Sequence, residues 1–120
     1  MHLDHINVRT TDLKATTDFL IGIAGLKTGP RPTMSFNGAW LYDDSDRPVV
    51  HLVELEKEFD APGPVDHFAF LGDDLDGSRR YLQEAGLSFT ERAQPGRGAT
   101  QLFVKGPGFI TVELQFPTDT

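Results

Sequence analysis

The chain repeats itself, and that repeat limits what it can fold into more than any other feature. Leu3-Asp4-His5 returns as Val65-Asp66-His67, 62 positions later (5 to 67). The same spacing pairs Asp12-Leu13 with Asp74-Leu75, Phe19 with Tyr81 and Leu20 with Leu82. After a slip of one residue, Ala24-Gly25-Leu26 meets Ala85-Gly86-Leu87. The spacing of 62 then resumes, setting Trp40-Leu41-Tyr42 against Leu102-Phe103-Val104 and His51 against Glu113. Matches in this number and order mark two halves with one common plan. We place the first module at 1–56, a charged and proline-bearing linker at 57–64, and the second module at 65–116, all within one domain.

Each half reads as βαβββ. From Leu3 to Arg9, Ile6 and Val8 alternate with His5, Asn7 and Arg9, the pattern of a half-buried strand. Thr10-Thr11-Asp12 offers N-caps to a helix with Leu13, Thr16, Thr17, Leu20 and Ala24 at helical spacing, and Gly25 suits its C-cap. Gly29-Pro30-Arg31-Pro32 predicts a loop or irregular edge. Ala39–Tyr42 and Pro48–Leu55 read as strands around an Asp43-Asp44-Ser45-Asp46 turn. In the second half the strand is Val65–Leu71, the helix Asp74–Ala85 and its cap Gly86. Strands follow at Ser88–Arg92, Thr100–Val104 and Phe109–Phe116, the last with Thr111, Glu113 and Gln115 on one face. The fold class is α+β.

Composition removes several function classes. A chain of 120 residues is long enough for one buried core. Its net charge of −7, with no Lys/Arg cluster, argues against nucleic acid and anionic membrane surfaces. No apolar run approaches the ~20 residues of a membrane span. Met1-His2-Leu3-Asp4-His5 lacks the basic and apolar regions of a secretory signal, and His2 is assigned no role. Without cysteine there is no disulfide, thiolate nucleophile or sulfur ligand, which fits a cytoplasmic protein.

Any metal must therefore be held by nitrogen and oxygen. His5 and His67 occupy equivalent places on the first strand of each half, and His51 and Glu113 equivalent places on the last. Taken singly, a strand histidine is more often a surface residue or one satisfied by a backbone partner, and Glu113 alone would suit a solvated edge. Jointly, three imidazoles and a carboxylate at repeat-equivalent positions form a donor set for Zn, Fe, Mn, Ni or Co. Asn7 and Arg9 share the face of His5 and are candidates to bind a carboxylate or amide, with an ordinary surface ion pair the alternative for Arg9.

The motifs Leu-Asp-His-Ile-Asn-Val-Arg, Val-Val-His-Leu-Val-Glu, Val-Asp-His-Phe-Ala-Phe and Gln-Leu-Phe-Val-Lys-Gly-Pro-Gly-Phe-Ile-Thr-Val-Glu-Leu, with two helices ending Ala-Gly-Leu, span residues 3–116. Together they resemble the vicinal oxygen chelate superfamily, which includes glyoxalases, bleomycin-resistance proteins and extradiol dioxygenases. The resemblance implies a glyoxalase-like domain: two βαβββ modules whose curved sheets form an open, barrel-like cleft around one divalent ion. It maps the metal ligands to His5, His67 and Glu113. Where isomerases of the family often carry glutamate or glutamine, this chain has His51, which leaves its role open between metal ligand and substrate contact. Lys105-Gly106-Pro107-Gly108 replaces the Asp-Pro turn common in relatives.

The implied chemistry is Lewis-acid catalysis on a small substrate that chelates the ion through neighbouring oxygens, with proton transfer of the isomerase or lyase type. By the same resemblance Glu113 is the candidate base, and Trp40 and Gln101 lie on strands that line the cleft. Arg31 and Arg97 fall in loops beside it. Two other readings stand next to this one: an Fe(II) extradiol-type dioxygenase or metal-dependent resistance transferase, and a metal-free binding protein of the bleomycin-resistance kind. A single module leaves sheet edges exposed, so the modules must pair, within one chain or between two. The expected assembly is a homodimer.

Overall fold

The computed structural model describes residues 2–57, 63, 65–94 and 98–117. The chain divides into two compact units, Met1–Phe59 and Asp60–Thr120. The first contains β1 (Ile6–Thr10), α1 (Leu13–Ala24), β2 (Lys27–Gly29), β3 (Gly38–Tyr42) and β4 (Pro48–Glu54). The second contains β5 (Phe68–Leu71), α2 (Leu75–Glu84), β6 (Phe89–Gln94), β7 (Ala99–Lys105) and β8 (Thr111–Pro117). The fold is α+β, with βαβββ order in each unit. Among the described residues no helix is long and apolar enough to cross a membrane.

Both units build the same four-stranded mixed sheet. The orders are β1-β4-β3-β2 and β5-β8-β7-β6. The first strand of each unit runs parallel to its last, and the remaining pairs are antiparallel. Neither sheet closes on itself, since each ends in two edge strands.

The helices start the same way for the same reason. Asp12 and Asp74 both take φ −133 and accept a hydrogen bond from the backbone N–H three residues on, Ala15 and Gly77, at 3.0 Å. Each satisfies one of the amide donors that a helix start leaves unpaired. In α1 the Leu13 N–H is taken as well, by Glu54 Oε2 of β4 at 3.2 Å. Truncating either cap to alanine is expected to destabilise its unit by about 1 kcal/mol. Urea titrations of Asp12→Ala and Asp74→Ala check this, and two unchanged midpoints would show that the caps contribute nothing.

The end signals differ. Gly25 ends α1 at φ 66, a left-handed conformation that glycine adopts without steric penalty. In α2 the cap is Ala85 in right-handed geometry, and the expected glycine, Gly86 (φ 69), comes one residue later.

Helix α1 buries Thr16, Phe19, Leu20 and Ile23, a stripe at i, i+3, i+4 and i+7. The Thr16 hydroxyl is satisfied by buried Thr10 at 2.7 Å. In the first sheet Leu41, Val50 and Leu52 are almost fully buried. In the second, Leu102, Val104, Val112 and Leu114 are buried, but α2 buries only Leu82. An ion pair ties α2 to its sheet instead: Arg79 reaches Glu91 of β6 through Nε (2.7 Å) and Nη2 (2.5 Å).

One alignment from the repeat is corrected by strand register. Trp40 pairs with His51, and Phe103 pairs with Glu113. Because His51 and Glu113 are equivalent, Trp40 corresponds to Phe103 rather than to Leu102. In a strand, a slip of one residue changes the sheet face. Leu102 is fully buried (0%), and its true counterpart is Ala39. The first strand of each unit also starts later than its alternation suggests, at Ile6 and Phe68.

Candidate functional site

In the first unit, register sets Asn7, His51 and Trp40 side by side across β1, β4 and β3. His5 precedes β1. Its ring lies face to face with that of His51, centroids 3.9 Å apart and planes within 14°. Trp40 covers the other face of His51 at 4.0 Å and 8°. The three rings form one stack with His51 in the middle.

This stack decides what His51 can do. Imidazole binds metal through lone pairs in the ring plane, and rings stacked face to face direct those lone pairs in parallel rather than toward one point. An ion about 2.1 Å from a nitrogen of each ring would lie well out of both planes. As stacked, His5 and His51 do not form a chelating pair. His51 Nε2 is also engaged, 3.1 Å from the Pro48 carbonyl. Burial pushes the His51 imidazole below its ordinary pKa, and the neighbouring His5 adds to the effect. Both faces of the His51 ring are thus covered, and its protonated form is disfavoured.

His5 is presented differently. Its Nδ1 lies 2.8 Å from Asp4 Oδ2, which leaves Nε2 uncommitted. Asp4 is itself 3.3 Å from Arg47, and its carboxyl is held below the usual range, chiefly by the bond to His5. The second unit repeats the device: His67 Nδ1 lies 2.7 Å from Asp66 Oδ2. A carboxylate on one ring nitrogen, fixing the tautomer and aiming the other, is a common support for metal-binding histidines.

His67 Nε2 meets Glu113 Oε1 at 3.1 Å. Glu113 is 4% exposed, and its other oxygen accepts from Gln101 Nε2 at 3.2 Å. Gln101 is itself buried, so the expected substrate contact is spent on Glu113. Both nitrogens of His67 therefore face carboxylate oxygens, which only accept. A neutral ring can donate to one of them and leaves lone pair against lone pair at the other. A proton or a metal cation fills that gap. The spacing suits a cation, since two ligands each about 2.1 Å from one ion stand roughly 3 Å apart. The residues of this pair fit a divalent ion.

Within either unit, no three histidines and carboxylates among the described residues gather into a metal-binding group. The structure brings His5 to His51 and His67 to Glu113. Asn7 and Arg9 are exposed on the His51 face, and among the described residues no side-chain partner holds either. Arg31 is tethered within its own loop, donating to the Phe36 carbonyl at 3.1 Å. Arg97 lies outside the described residues.

Sequence reasoning missed Phe103 and Arg92. Phe103 sits edge-on to His67 at 5.5 Å, and the Arg92 guanidinium lies 4.6 Å over the Phe103 ring. The correct repeat register, which makes Phe103 the partner of Trp40, was the signal for the first of them.

No protein-family model matches the chain, and no curated protein matches it by sequence. Solved structures do match. A glyoxalase family protein from Bacillus anthracis is 18% identical, with a TM-score of 0.79 over 98% of this chain and 96% of that one. A glyoxylase/bleomycin resistance protein/dioxygenase domain from Frankia sp. EAN1pec is 21% identical, with a TM-score of 0.78 over 99% and 93%. A mutant of the fosfomycin resistance protein FosX from Listeria monocytogenes, complexed with Mn(II) and 1S,2S-dihydroxypropylphosphonic acid, is 17% identical, with a TM-score of 0.77 over 98% and 92%. Element order, sheet order and these likenesses agree: the chain has the vicinal oxygen chelate fold.

Proposed function

We propose that the protein is a metal-dependent enzyme of the glyoxalase-like type, in which His5, His67 and Glu113 are the ligands of one divalent ion. The observation that carries this reading is the His67–Glu113 pair, whose imidazole is caught between two carboxylates and whose spacing suits a shared cation. Manganese in the FosX complex, and a ligand there with two neighbouring hydroxyls, support the chelate class of substrate. When bound, the ion would act as a Lewis acid, stabilising negative charge on a substrate that chelates it through adjacent oxygens.

The chain's own residues do the rest. Asp4 and Asp66 hold His5 and His67 by Nδ1 and so present Nε2. Gln101 holds one oxygen of Glu113 and turns the other toward His67 Nε2. As the base, Glu113 would take a proton from the carbon beside the chelating oxygens and return it to a neighbouring atom, an isomerase-type proton transfer. His51, half-buried between His5 and Trp40, would be a packing partner of His5 rather than a ligand, with Asn7 and Arg9 on the same face as substrate contacts.

Metal analysis by inductively coupled plasma mass spectrometry tests the ligand set, on protein purified without chelators. Near-stoichiometric Zn, Ni, Mn or Co is expected in the unmodified protein and in His51→Ala, and its loss in His5→Ala and His67→Ala. Equal metal content in all four would sink the proposal. Iron as the bound ion would instead favour ring-cleaving dioxygenase chemistry, for which two histidines and a glutamate also serve.

A further inference from the structure

Building on the chelate reading above, we infer that Arg92 recognises an oxyanion on the substrate, a carboxylate, phosphate or phosphonate a few bonds from its chelating oxygens. The inference starts from strand alternation in β6. Glu91 faces α2, as its ion pair with Arg79 shows. Thr90, Arg92 and Gln94 therefore lie on the opposite face. Register places that face in common with the site: Arg92 pairs with Gln101, Thr90 with Phe103, and Phe103 with Glu113.

What holds Arg92 there is an aromatic ring. Its guanidinium lies 4.6 Å over Phe103, and Phe103 packs edge-on against His67. Among the described residues, Arg47 and Arg79 are each neutralised by carboxylates, whereas no carboxylate pairs with Arg92. Among the described residues Arg9, Arg31 and Arg80 lack a carboxylate as well, so what distinguishes Arg92 is its place over the ring that packs on His67. The ring contact restrains the guanidinium, and among the described residues no acceptor takes its side-chain N–H donors. Those donors match the paired oxygens of a carboxylate or phosphate. Among the described residues no ring orients Arg9, and Arg31, 5.5 Å over Phe36, spends a donor on the Phe36 carbonyl.

The geometry also limits substrate size. Strands are about 4.8 Å apart, and Arg92 leans over the ring on the middle strand, β7. The strand that carries this ring is therefore one spacing, about 4.8 Å, from β8, which carries Glu113. A compact substrate spans that distance, with its anionic group close to the chelating oxygens. Long neutral thioesters do not fit the requirement.

Two measurements decide it. In metal-free protein, inorganic phosphate is titrated while the arginine side-chain Nε–H resonances are followed by NMR. The Arg92 resonance is expected to shift saturably, and that of Arg80 on α2 only weakly. An Arg92 resonance that moves no more than Arg80's overturns the inference. With Mn(II) added, the dissociation constants of catechol and 4-sulfocatechol are compared, two chelators that differ by one anionic group. A preference of about tenfold for the sulfonated ligand is expected, the size of one charged hydrogen bond. R92Q should bring the ratio to about one, and F103L, which keeps the charge but removes its support, to an intermediate value. Equal constants in the unmodified protein, or an R92Q ratio like the unmodified one, would refute Arg92. If neither catechol binds, the chelate reading fails, and the phosphate titration still decides whether Arg92 is an anion site.

Discussion

Exchanging Glu113 for glutamine is expected to strip the divalent ion from the protein and to leave the melting transition of the metal-free protein where it was. The two outcomes separate because glutamine keeps the shape and the hydrogen bonds but removes the charge. In Glu113→Gln the amide oxygen can still accept from Gln101 Nε2, now 3.2 Å from Glu113 Oε2. The amide N–H₂ can donate to His67 Nε2, 3.1 Å from Glu113 Oε1. With His67 Nδ1 donating to Asp66, the ring is then satisfied as a neutral imidazole, and no buried group is left unpaired. What is lost is an anionic ligand. The drop in Mn(II) affinity should exceed the roughly 10- to 100-fold typical of losing an outer-shell partner. Glu113→Ala makes the contrast: it also loses metal, but it strands the buried Gln101 amide, at about 1–3 kcal/mol. Titration of Mn(II) by its proton-relaxation enhancement, beside thermal unfolding, reads both effects. A variant Glu113→Gln that keeps its affinity would mean that this carboxylate serves the fold alone.

The parts of this site that were legible in the sequence are those a repeat can transmit. Asp12 and Asp74 take the same φ and make the same cap, as two copies of one local instruction should. Strand alternation put His51 and Glu113 on matching faces, and the pairings Asn7–His51 and Ala69–Glu113 agree. Local patterns fix such things because helix caps and strand periods depend on near neighbours. The alignment of β3 with β7 was harder: Ala39-Trp40-Leu41 and Leu102-Phe103-Val104 are apolar throughout, so a slip of one residue leaves the pattern unchanged. Only hydrogen-bonded register resolves it.

Side-chain direction was harder still. That His51 stacks on His5 rather than converging with it depends on Trp40, which arrives from another strand and covers the ring's second face. That Gln101 turns to Glu113 depends on both being buried together. The same holds for Arg92, which reads in sequence as an ordinary strand-edge charge and gains meaning only from Phe103. The two repeat-equivalent positions consequently differ: one holds an imidazole between flat rings, the other a carboxylate bonded to a histidine and an amide. Duplication supplied the positions, and contacts between strands assigned the chemistry.

The largest effect on stability is expected from Gly38→Ala, a change of one methyl group at the start of β3. A Cβ at Gly38 would stand 2.2 Å from the Leu52 carbonyl oxygen of β4. That oxygen belongs to a strand paired on both sides, with β1 and with β3. It cannot retreat without disturbing a ladder whose core side chains, Leu52 and Val50, are about 1% exposed. Gly29→Ala on the neighbouring β2 is the control. There the Cβ meets the Tyr42 ring, 2.6 Å from Cε1, and that ring can swing outward at the expense of the hydroxyl's bond to the Pro30 carbonyl. Backbone is stiff and a side chain is not, so Gly38→Ala should destabilise by about 3 kcal/mol or more and Gly29→Ala by about 1. Because β4 carries His51, the first substitution should also perturb the stack of three rings, visible as a change in Trp40 fluorescence before unfolding begins. Equal destabilisation by the two alanines would show that β4 yields as readily as a tyrosine ring, and that the first half-site is not held by its backbone.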